Sequence, residues 1–424
     1  MRFLYLLFAF EFCSLLFAAD VSVQKSTAGW NLNVDGTPFF VRGVGCNKAQ
    51  GEKGEDYLLM AKEMGANAVR TWGFTPVSYF DKAAQYGLLV DAGVWFNAIR
   101  EGSTESYEDK AYCQRLRKET LEYVRKMKGH PALLMWNLGN EVFAFTKDEP
   151  EKKAFGLFLK DLIDAVHAED PRHPVVYACS SQTDFPDLKA YVPNLDIVGV
   201  NVYGAYHYVL RWLKENDYDR PVLATEYGSF GGWDRMKDTN RLPYDPYDQY
   251  KAGDFANVWR EIESTRDQSI GGFAFNLGDQ RNQDSLTWYN VNYGSEKRQA
   301  YWTLYELYTG RTPARHCPKI KIMKATPVKD LAPGSWVDVS VNATDPDESH
   351  LRYSYFITDI VSDPLIVQPP RFYPTEVETP APGEVRIRAP NDPGSYRLYV
   401  LVEDGHDNAA LANQSLTVGR KERE

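Results

Sequence analysis

Cysteine is scarce in this chain, with five residues among 424. Cys13 lies in the apolar N-terminal stretch, and the four remaining cysteines are too few for a disulfide framework in a chain of this size, although they allow three full pairings. The sequence contains no CxxC and no HExxH motif, so nothing in it supports a metal site. We therefore expect a protein that uses no metal.

An excess of positive charge is also missing. Lys and Arg total 48 against 58 Asp and Glu, which leaves a formal net charge of −10. A nucleic-acid binder normally presents a basic face to phosphates, so this class of function is disfavoured. The absence of a GxSxG motif argues against a serine hydrolase. No glycine-rich phosphate fingerprint follows any predicted strand, which disfavours the alternative of an open doubly wound sheet.

Long apolar runs are confined to the N-terminus. Residues 1–19 combine Arg2, an apolar run and a small-residue end, which predicts a secretory signal peptide cut before Asp20. An uncleaved membrane anchor is the competing interpretation, but the run is short and Glu11 interrupts it. No later segment offers about 18 uninterrupted apolar residues, so we expect a secreted, periplasmic or extracellular protein without a membrane span in the mature chain.

Aromatic residues, by contrast, are abundant, at 14% of the chain. Such residues fill cores first, but an excess also suits stacking against the flat faces of sugar rings.

Short β-rich runs alternate with amphipathic stretches from about residue 39 to residue 310. Most of these runs are continuously apolar, which is typical of strands buried on both faces of a parallel sheet. The eight candidate strands are 39–47, 66–73, 88–97, 132–141, 174–180, 195–204, 221–228 and 270–280. Eight strand–helix units of this length predict an α/β fold, a (β/α)8 TIM barrel over residues 20–310.

The pattern of apolar residues changes after Gly310. We predict a linker over residues 311–319, because it contains proline and lacks helical periodicity. Alternating runs separated by turn sequences then predict an antiparallel β-sandwich of immunoglobulin-like type over residues 320–419. Its candidate strands are 335–344, 351–360, 383–389, 394–404 and 410–419. Residues 420–424 are expected to form a solvated tail.

Two carboxylic acids end predicted strands on the face where barrel enzymes carry their reactive groups. Glu141 ends the fourth strand and Glu226 the seventh. These strands lie three steps apart in a ring of eight, so the two side chains should face each other across the mouth. A carboxyl pair about 5 Å apart can cleave a glycosidic bond, because one group protonates the leaving oxygen while the other attacks the anomeric carbon.

The residues around the pair support different tasks for the two acids. Asn140 and Glu141 can both reach the pocket only if the strand breaks its pleat, which Gly139 permits. Arg70, at the end of the second strand, would hold Glu226 ionised if it lies close by. Glu141 has less positive charge beside it to offset its own negative charge, and it lies near the second carboxylate. Its pKa should therefore be raised and its carboxyl protonated.

Three motifs resemble those of a known group of enzymes: WNLGNE (136–141), ATEYG (224–228) and IGGFAFNLGDQ (270–280). In this order and on these strands they resemble the clan A retaining β-glycosidases. They look most like the catalytic barrel of glycoside hydrolase family 2, which includes β-galactosidase and β-glucuronidase. The resemblance covers about residues 38–310 and implies a glycoside hydrolase that needs no cofactor.

The resemblance also implies roles for single residues. Glu141 would be the acid/base, Glu226 the nucleophile, and Asn140 the residue that grips the sugar 2-hydroxyl. Arg70 and Tyr203 would match the supporting residues around the nucleophile. The sequence departs from the family in ways that bear on sugar specificity: Phe275 stands where the family has a tryptophan under the reacting sugar, and the family's long N-terminal sandwich domains are missing.

Further substrate-binding candidates are the aromatic residues Phe275, Trp72, Trp95 and Trp288, which could serve as sugar platforms. We therefore expect a retaining hydrolase of β-linked oligo- or polysaccharides. A transglycosylase would use the same two glutamates and stays open as an alternative. A non-catalytic carbohydrate-binding protein on a glycosidase scaffold is the alternative from another class, and the sequence leaves the oligomeric state open.

Overall fold

The computed structural model describes residues 18–204, 206–231, 236–278, 290–360, 371–381 and 384–419. Residues 1–17 of the predicted signal peptide and the predicted tail 420–424 lie outside the described residues.

Eight parallel strands form a closed barrel, as the sequence predicts. Because both faces of these strands are covered, their residues are almost all buried, which matches their apolar composition. In barrel order the strands are β4 (Val41–Gly45), β5 (Ala68–Arg70), β6 (Leu89–Val94), β7 (Leu133–Asn140), β8 (Val175–Cys179), β9 (Ile197–Val202), β10 (Val222–Tyr227) and β11 (Ser269–Ala274). β7 and β10, the fourth and seventh barrel strands, carry the candidate carboxylates at or just beyond their C-terminal ends.

Helices follow the barrel strands and pack on their outer faces. They are α1 (Tyr57–Glu63), α2 (Val77–Gln85), α3 (Lys110–Met127), α4 (Val142–Phe145), α5 (Glu149–Glu169), α6 (Phe185–Tyr191), α7 (His207–Glu215), α8 (Asp248–Ser264) and α9 (Gln299–Thr309). Gly310 ends α9 with φ of +68°, a left-handed conformation that favours glycine. None of the described helices combines the length and apolarity that a membrane crossing requires.

A small antiparallel sheet, which the sequence analysis did not foresee, precedes the barrel. It consists of β1 (Val21–Ser26), β2 (Gly29–Val34) and β3 (Thr37–Pro38). Val21 and Leu32 belong to a buried cluster with Val41, Ile197 and Leu223, which lie at the N-terminal ends of their strands. The sheet therefore packs against the end of the barrel opposite the candidate site. A two-stranded hairpin, β12 (Asn292–Tyr293) and β13 (Glu296–Lys297), precedes α9.

The C-terminal domain is a β-sandwich of two four-stranded sheets. One sheet has the order β14 (Lys319–Thr326), β15 (Trp336–Thr344), β19 (Glu384–Arg388) and β18 (Val377–Ala381). The other has the order β17 (Phe372–Tyr373), β16 (Arg352–Asp359), β20 (Gly394–Glu403) and β21 (Ala409–Val418). Residues such as Val337 and Leu398 pack between the sheets. The five predicted strands are present, whereas β14, β17 and β18 were missed.

The sandwich contacts the segment between β10 and α8. Asn240 donates from Nδ2 to Oγ of Ser415 at 2.8 Å, and Asn413 donates from Nδ2 to Oδ2 of Asp245 at 2.6 Å. The accessory domain thus holds the loop that follows the strand carrying Glu226.

Candidate active site

An irregular backbone at the end of β7 directs Asn140 and Glu141 into one hydrogen-bond network. Gly139 has φ of +97° and Glu141 has φ of +56°. The register between β7 and β8 also shifts between Asn137 and Asn140. A Cβ at position 139 would lie 3.2 Å from the Phe96 ring, so both the conformation and the space favour glycine. The expected break in the pleat is present.

Three donors surround the Glu226 carboxylate, which is 5% exposed. Arg70 donates from Nη1 to Oε1 at 2.8 Å, and the Trp72 indole Nε1 donates to the same oxygen at 2.8 Å. The Tyr203 hydroxyl donates to Oε2 at 2.5 Å. Together the three donors hold both carboxylate oxygens of Glu226 in a fixed position.

Phe275 packs between two of these donors. Its ring centroid lies 5.4 Å from that of Trp72 and 6.1 Å from that of Tyr203, in both cases nearly edge-on. With Phe275 only 7% exposed, the three rings form a small aromatic cluster beside Glu226. Trp72, expected as a sugar platform, is thus also a hydrogen-bond donor to Glu226.

Asn201 connects the two candidate carboxylates, although sequence reasoning did not single it out. Its Nδ2 donates to Oε1 of Glu141 at 2.5 Å and to Oδ1 of Asn140 at 3.2 Å. Asn140 Oδ1 also accepts from Arg70 Nη2 at 2.8 Å. A continuous chain of hydrogen bonds therefore runs from Glu141 through Asn201, Asn140 and Arg70 to Glu226.

The electrostatic environments of the two acids differ. Burial and the nearby carboxylate of Glu226 raise the pKa of Glu141 from 4.5 to about 7, against the opposing effect of the Asn201 hydrogen bond. Glu141 is therefore placed to carry a proton near neutral pH, while Glu226 has a cation and two neutral donors on its oxygens.

A third acid, Asp91, lies next to Arg70 and was also missed by the sequence analysis. Asp91 is fully buried on β6, with its Oδ2 3.7 Å from Arg70 Nε and 2.9 Å from Asn137 Nδ2, which donates to it. Burial raises the pKa of Asp91 to about 7, although Arg70 and Asn137 act in the opposite direction. Asp91 thus packs against the cation that binds Glu226.

The remaining sequence candidates are placed differently. Trp95 follows β6, is 54% exposed, and donates from Nε1 to Oδ1 of Asn97 at 3.2 Å. Trp95 thus lies at the mouth of the barrel, and its indole makes no described hydrogen bond to Glu141 or Glu226. Trp288 lies outside the described residues. Among the residues that the structure describes, no group of three or more His, Cys, Asp and Glu side chains could hold a metal ion.

Comparison with known proteins relates this geometry to one family. Residues 31–299 match the family described as "Glycosyl hydrolases family 2, TIM barrel domain". Beta-glucuronidase from Felis catus is 30% identical over 227 residues, which cover 46% of this chain and 32% of that protein. Beta-glucuronidase from Homo sapiens is 26% identical over 241 residues, covering 49% and 33%.

Solved structures show a similar fold. Bacteroides uniformis beta-glucuronidase 2, covalently bound to cyclophellitol-6-carboxylate aziridine, has a TM-score of 0.55 at 14% identity and covers 94% of this chain and 48% of its own. A GH2 beta-galacturonidase from Eisenbergiella tayi, bound to galacturonate, has a TM-score of 0.52 at 15% identity, covering 69% and 54%. The matched part of this chain spans about a third of the length of the curated relatives, and about half of the solved ones.

Proposed function

The chain belongs to glycosyl hydrolase family 2 through its TIM barrel domain, and we propose that it hydrolyses O-glycosidic bonds of β-linked sugars with retention of anomeric configuration. The observation that carries the proposal is the hydrogen-bond chain that joins Glu141 to Glu226 while giving them opposite charge environments.

In the first step, the Glu226 carboxylate attacks the anomeric carbon and the bond to the departing oxygen breaks. Glu141 gives its proton to that oxygen, which leaves as an alcohol, and a glycosyl ester forms on Glu226. Arg70, Trp72 and Tyr203 hold the carboxylate in place for attack. In the second step, ionised Glu141 takes a proton from water, the water oxygen attacks the anomeric carbon, and the ester bond breaks.

Asn140 is the proposed partner of the sugar 2-hydroxyl. Its Oδ1 is occupied by the donors of Arg70 and Asn201. This arrangement orients the amide so that its NH2 group is the part left to face a sugar. Hydrogen bonds to the 2-hydroxyl strengthen in the transition state of glycoside hydrolysis.

The test is a panel of nitrophenyl β-glycosides with the wild type, Glu226→Ala and Glu141→Ala. The panel starts with the β-glucuronide, because the curated relatives are named β-glucuronidases. Glu226→Ala should abolish turnover. Glu141→Ala should retain the first step with dinitrophenyl glycosides, whose leaving group needs no proton. Glu122→Gln, an exposed change on α3, is the matched control and should be fully active.

NMR of the first-formed sugar distinguishes the stereochemical outcomes. A β-anomer as first product supports retention, and an α-anomer contradicts it. Unchanged turnover by Glu226→Ala would overturn the assignment of the nucleophile. Glycan binding by a wild type that cleaves no glycoside would favour the carbohydrate-binding alternative.

We also propose that the protein is exported, which rests on the apolar character of residues 1–19. The test is N-terminal sequencing of the protein recovered outside the cytoplasm. A mature chain that begins at Asp20 supports export with cleavage, whereas a protein found only in the cytoplasm with Met1 intact argues against export.

A further inference from the structure

The exposed aromatic side chains of the described barrel residues all lie on the side of the candidate active site. Each follows the C-terminal end of a strand, in a connecting loop or in the first turns of the next helix. Those within six residues of the end of a strand are Phe74, Trp95, Phe145, Tyr208 and Phe230, and they are between 37% and 54% exposed. We call these five residues the aromatic rim. Single exposed aromatics are ordinary, but their restriction to one face indicates a ligand surface.

The rim residues stand on opposite sides of the barrel mouth. Phe74 follows the second barrel strand and Tyr208 the sixth, whereas Trp95 follows the third and Phe230 the seventh. In a ring of eight, the second strand is opposite the sixth and the third is opposite the seventh. The carboxylates on the fourth and seventh strands therefore have aromatic rings on both flanks.

Specific contacts hold these rings in place. Phe74 packs on Tyr123 with centroids 4.9 Å apart, and the Tyr123 hydroxyl accepts a hydrogen bond from the Thr75 amide at 3.3 Å. Phe230 lies over Gly204, where a Cβ would come within 2.2 Å of its ring. The indole of Trp95 is fixed by its bond to Asn97. Rings that are fixed before binding lose little conformational entropy when a ligand stacks on them.

We propose that the aromatic rim binds a β-linked glycan chain that lies across the mouth of the barrel, with sugar units on both sides of the bond to be cleaved. This deepens the proposed function and rests on it. Pyranose rings present apolar C–H faces that stack on aromatic side chains. The preferred substrate is then an oligosaccharide or polysaccharide rather than a single sugar on a small aglycone.

The arrangement fits a glycan better than a protein partner. The rim residues follow five different strands around the mouth of the barrel, where the carboxylates lie, instead of forming one contiguous patch. A stable protein interface needs about 800 Å² per partner with a buried apolar centre. Separate rings placed around a mouth that carries two carboxyl groups suit a chain of flat sugar units, each of which needs one stacking surface.

The experiment compares the wild type with Phe74→Ala, Trp95→Ala and Phe372→Ala. Phe372 is the matched control, because it is 53% exposed, as Phe74 is, but lies on the sandwich. Affinity is measured by electrophoresis in native gels containing hydroxyethylcellulose, β-1,3-glucan, β-mannan or xylan, so the readout does not require turnover. We expect at least one glycan to retard the wild type and Phe372→Ala. Each rim variant should bind it about three- to tenfold more weakly.

Kinetics separates this proposal from the proposed function. On oligosaccharides of the sugar that the enzyme cleaves, the KM of the rim variants should rise by more than it does on the small nitrophenyl glycoside, whereas Phe372→Ala should match the wild type on both substrates. Retardation of the wild type by none of the glycans, or equal binding by all variants, would overturn the rim proposal while hydrolysis of small glycosides could persist. Self-association that the rim substitutions abolish, without glycan binding, would instead identify an interface between copies.

Discussion

The guanidinium of Arg70 donates a hydrogen bond to Glu226 at 2.8 Å, and the same Nη1 donates to the Thr225 carbonyl at 2.9 Å, while Nη2 reaches Asn140. One planar cation therefore fixes the proposed nucleophile, its strand and the proposed sugar-binding amide. A lysine has a single ammonium and cannot reproduce this fork of donors.

Arg70→Lys should accordingly lower kcat by about 100- to 1,000-fold, because Glu226 and Asn140 would no longer be held together. The measurement is kcat on the cleaved nitrophenyl glycoside, with circular dichroism to verify folding. Arg115→Lys is the control, since Arg115 pairs with Glu105 at the surface and should tolerate the change. A folded Arg70→Lys enzyme with wild-type kcat would contradict this role.

The pKa of Glu141 predicts the alkaline limb of the pH profile. The first step needs a protonated Glu141, and its pKa is raised to about 7. The value of kcat/KM should therefore fall as pH rises through about 7, by about tenfold per pH unit above it. With a dinitrophenyl glycoside, Glu141→Gln should lose this limb, because the leaving group departs unprotonated. A wild-type rate that stays constant to about pH 9 would argue against Glu141 as the acid.

Much of this arrangement could be predicted from the sequence, because it depends on the apolar pattern of the strands and on which residues stand at the strand ends. Continuous apolar runs identify the barrel strands, and residues at strand ends must lie at one mouth. That reasoning selected Glu141, Glu226 and Arg70, which the structure brings together. The position of Gly139 before Asn140 also predicted the irregular backbone that the structure contains.

Of the two polar residues that were missed, Asp91 lies inside β6 and Asn201 is the next-to-last residue of β9. Asn201 stands two positions before Tyr203, and residues two apart on a strand point to the same face. This two-residue spacing could have identified Asn201 as a second residue directed toward the site. Asp91 interrupts an apolar strand, a signal that a buried charge needs a partner. The hydrogen-bond role of Trp72 could not be predicted, because it depends on where a loop places an indole relative to a distant carboxylate.

Asp91 should make stability depend on pH. Its folded-state pKa of about 7 lies above its ordinary value of 3.8, so between these values the folded state holds the proton more tightly than the unfolded state. Wild-type stability is therefore lost as pH rises from about 4 to about 7. Because an asparagine side chain cannot titrate, Asp91→Asn should be more stable than the wild type at about pH 8, by about 1–4 kcal/mol, and the difference should vanish near pH 4.

The measurement is urea unfolding at both pH values, with Asp161→Asn as an exposed control. A stability difference of the same size at pH 4 and pH 8 would mean that ionisation of Asp91 is not the cause.

A buried ion pair at the boundary between barrel and sandwich should contribute to the stability of the fold. Asp248, the first residue of α8, pairs with Arg298, and both side chains are at most 5% exposed. Oδ2 of Asp248 also accepts a hydrogen bond from the Leu411 amide of β21 at 3.2 Å. Asp248→Ala would leave a buried cation without its carboxylate and remove this contact between barrel and sandwich. We expect a loss of about 3–5 kcal/mol in the free energy of unfolding, measured by urea titration.

Asp338→Ala provides the control, because Asp338 pairs with Arg386 on the surface of the sandwich and its loss should cost less than about 1 kcal/mol. Equal, small effects of the two substitutions would show that the boundary pair adds no stability. A single urea transition that Asp248→Ala shifts as a whole would mean that the sandwich and the barrel unfold as coupled units. The loop after β10 would then depend on the accessory domain for its position, and so would the strand end that carries Glu226.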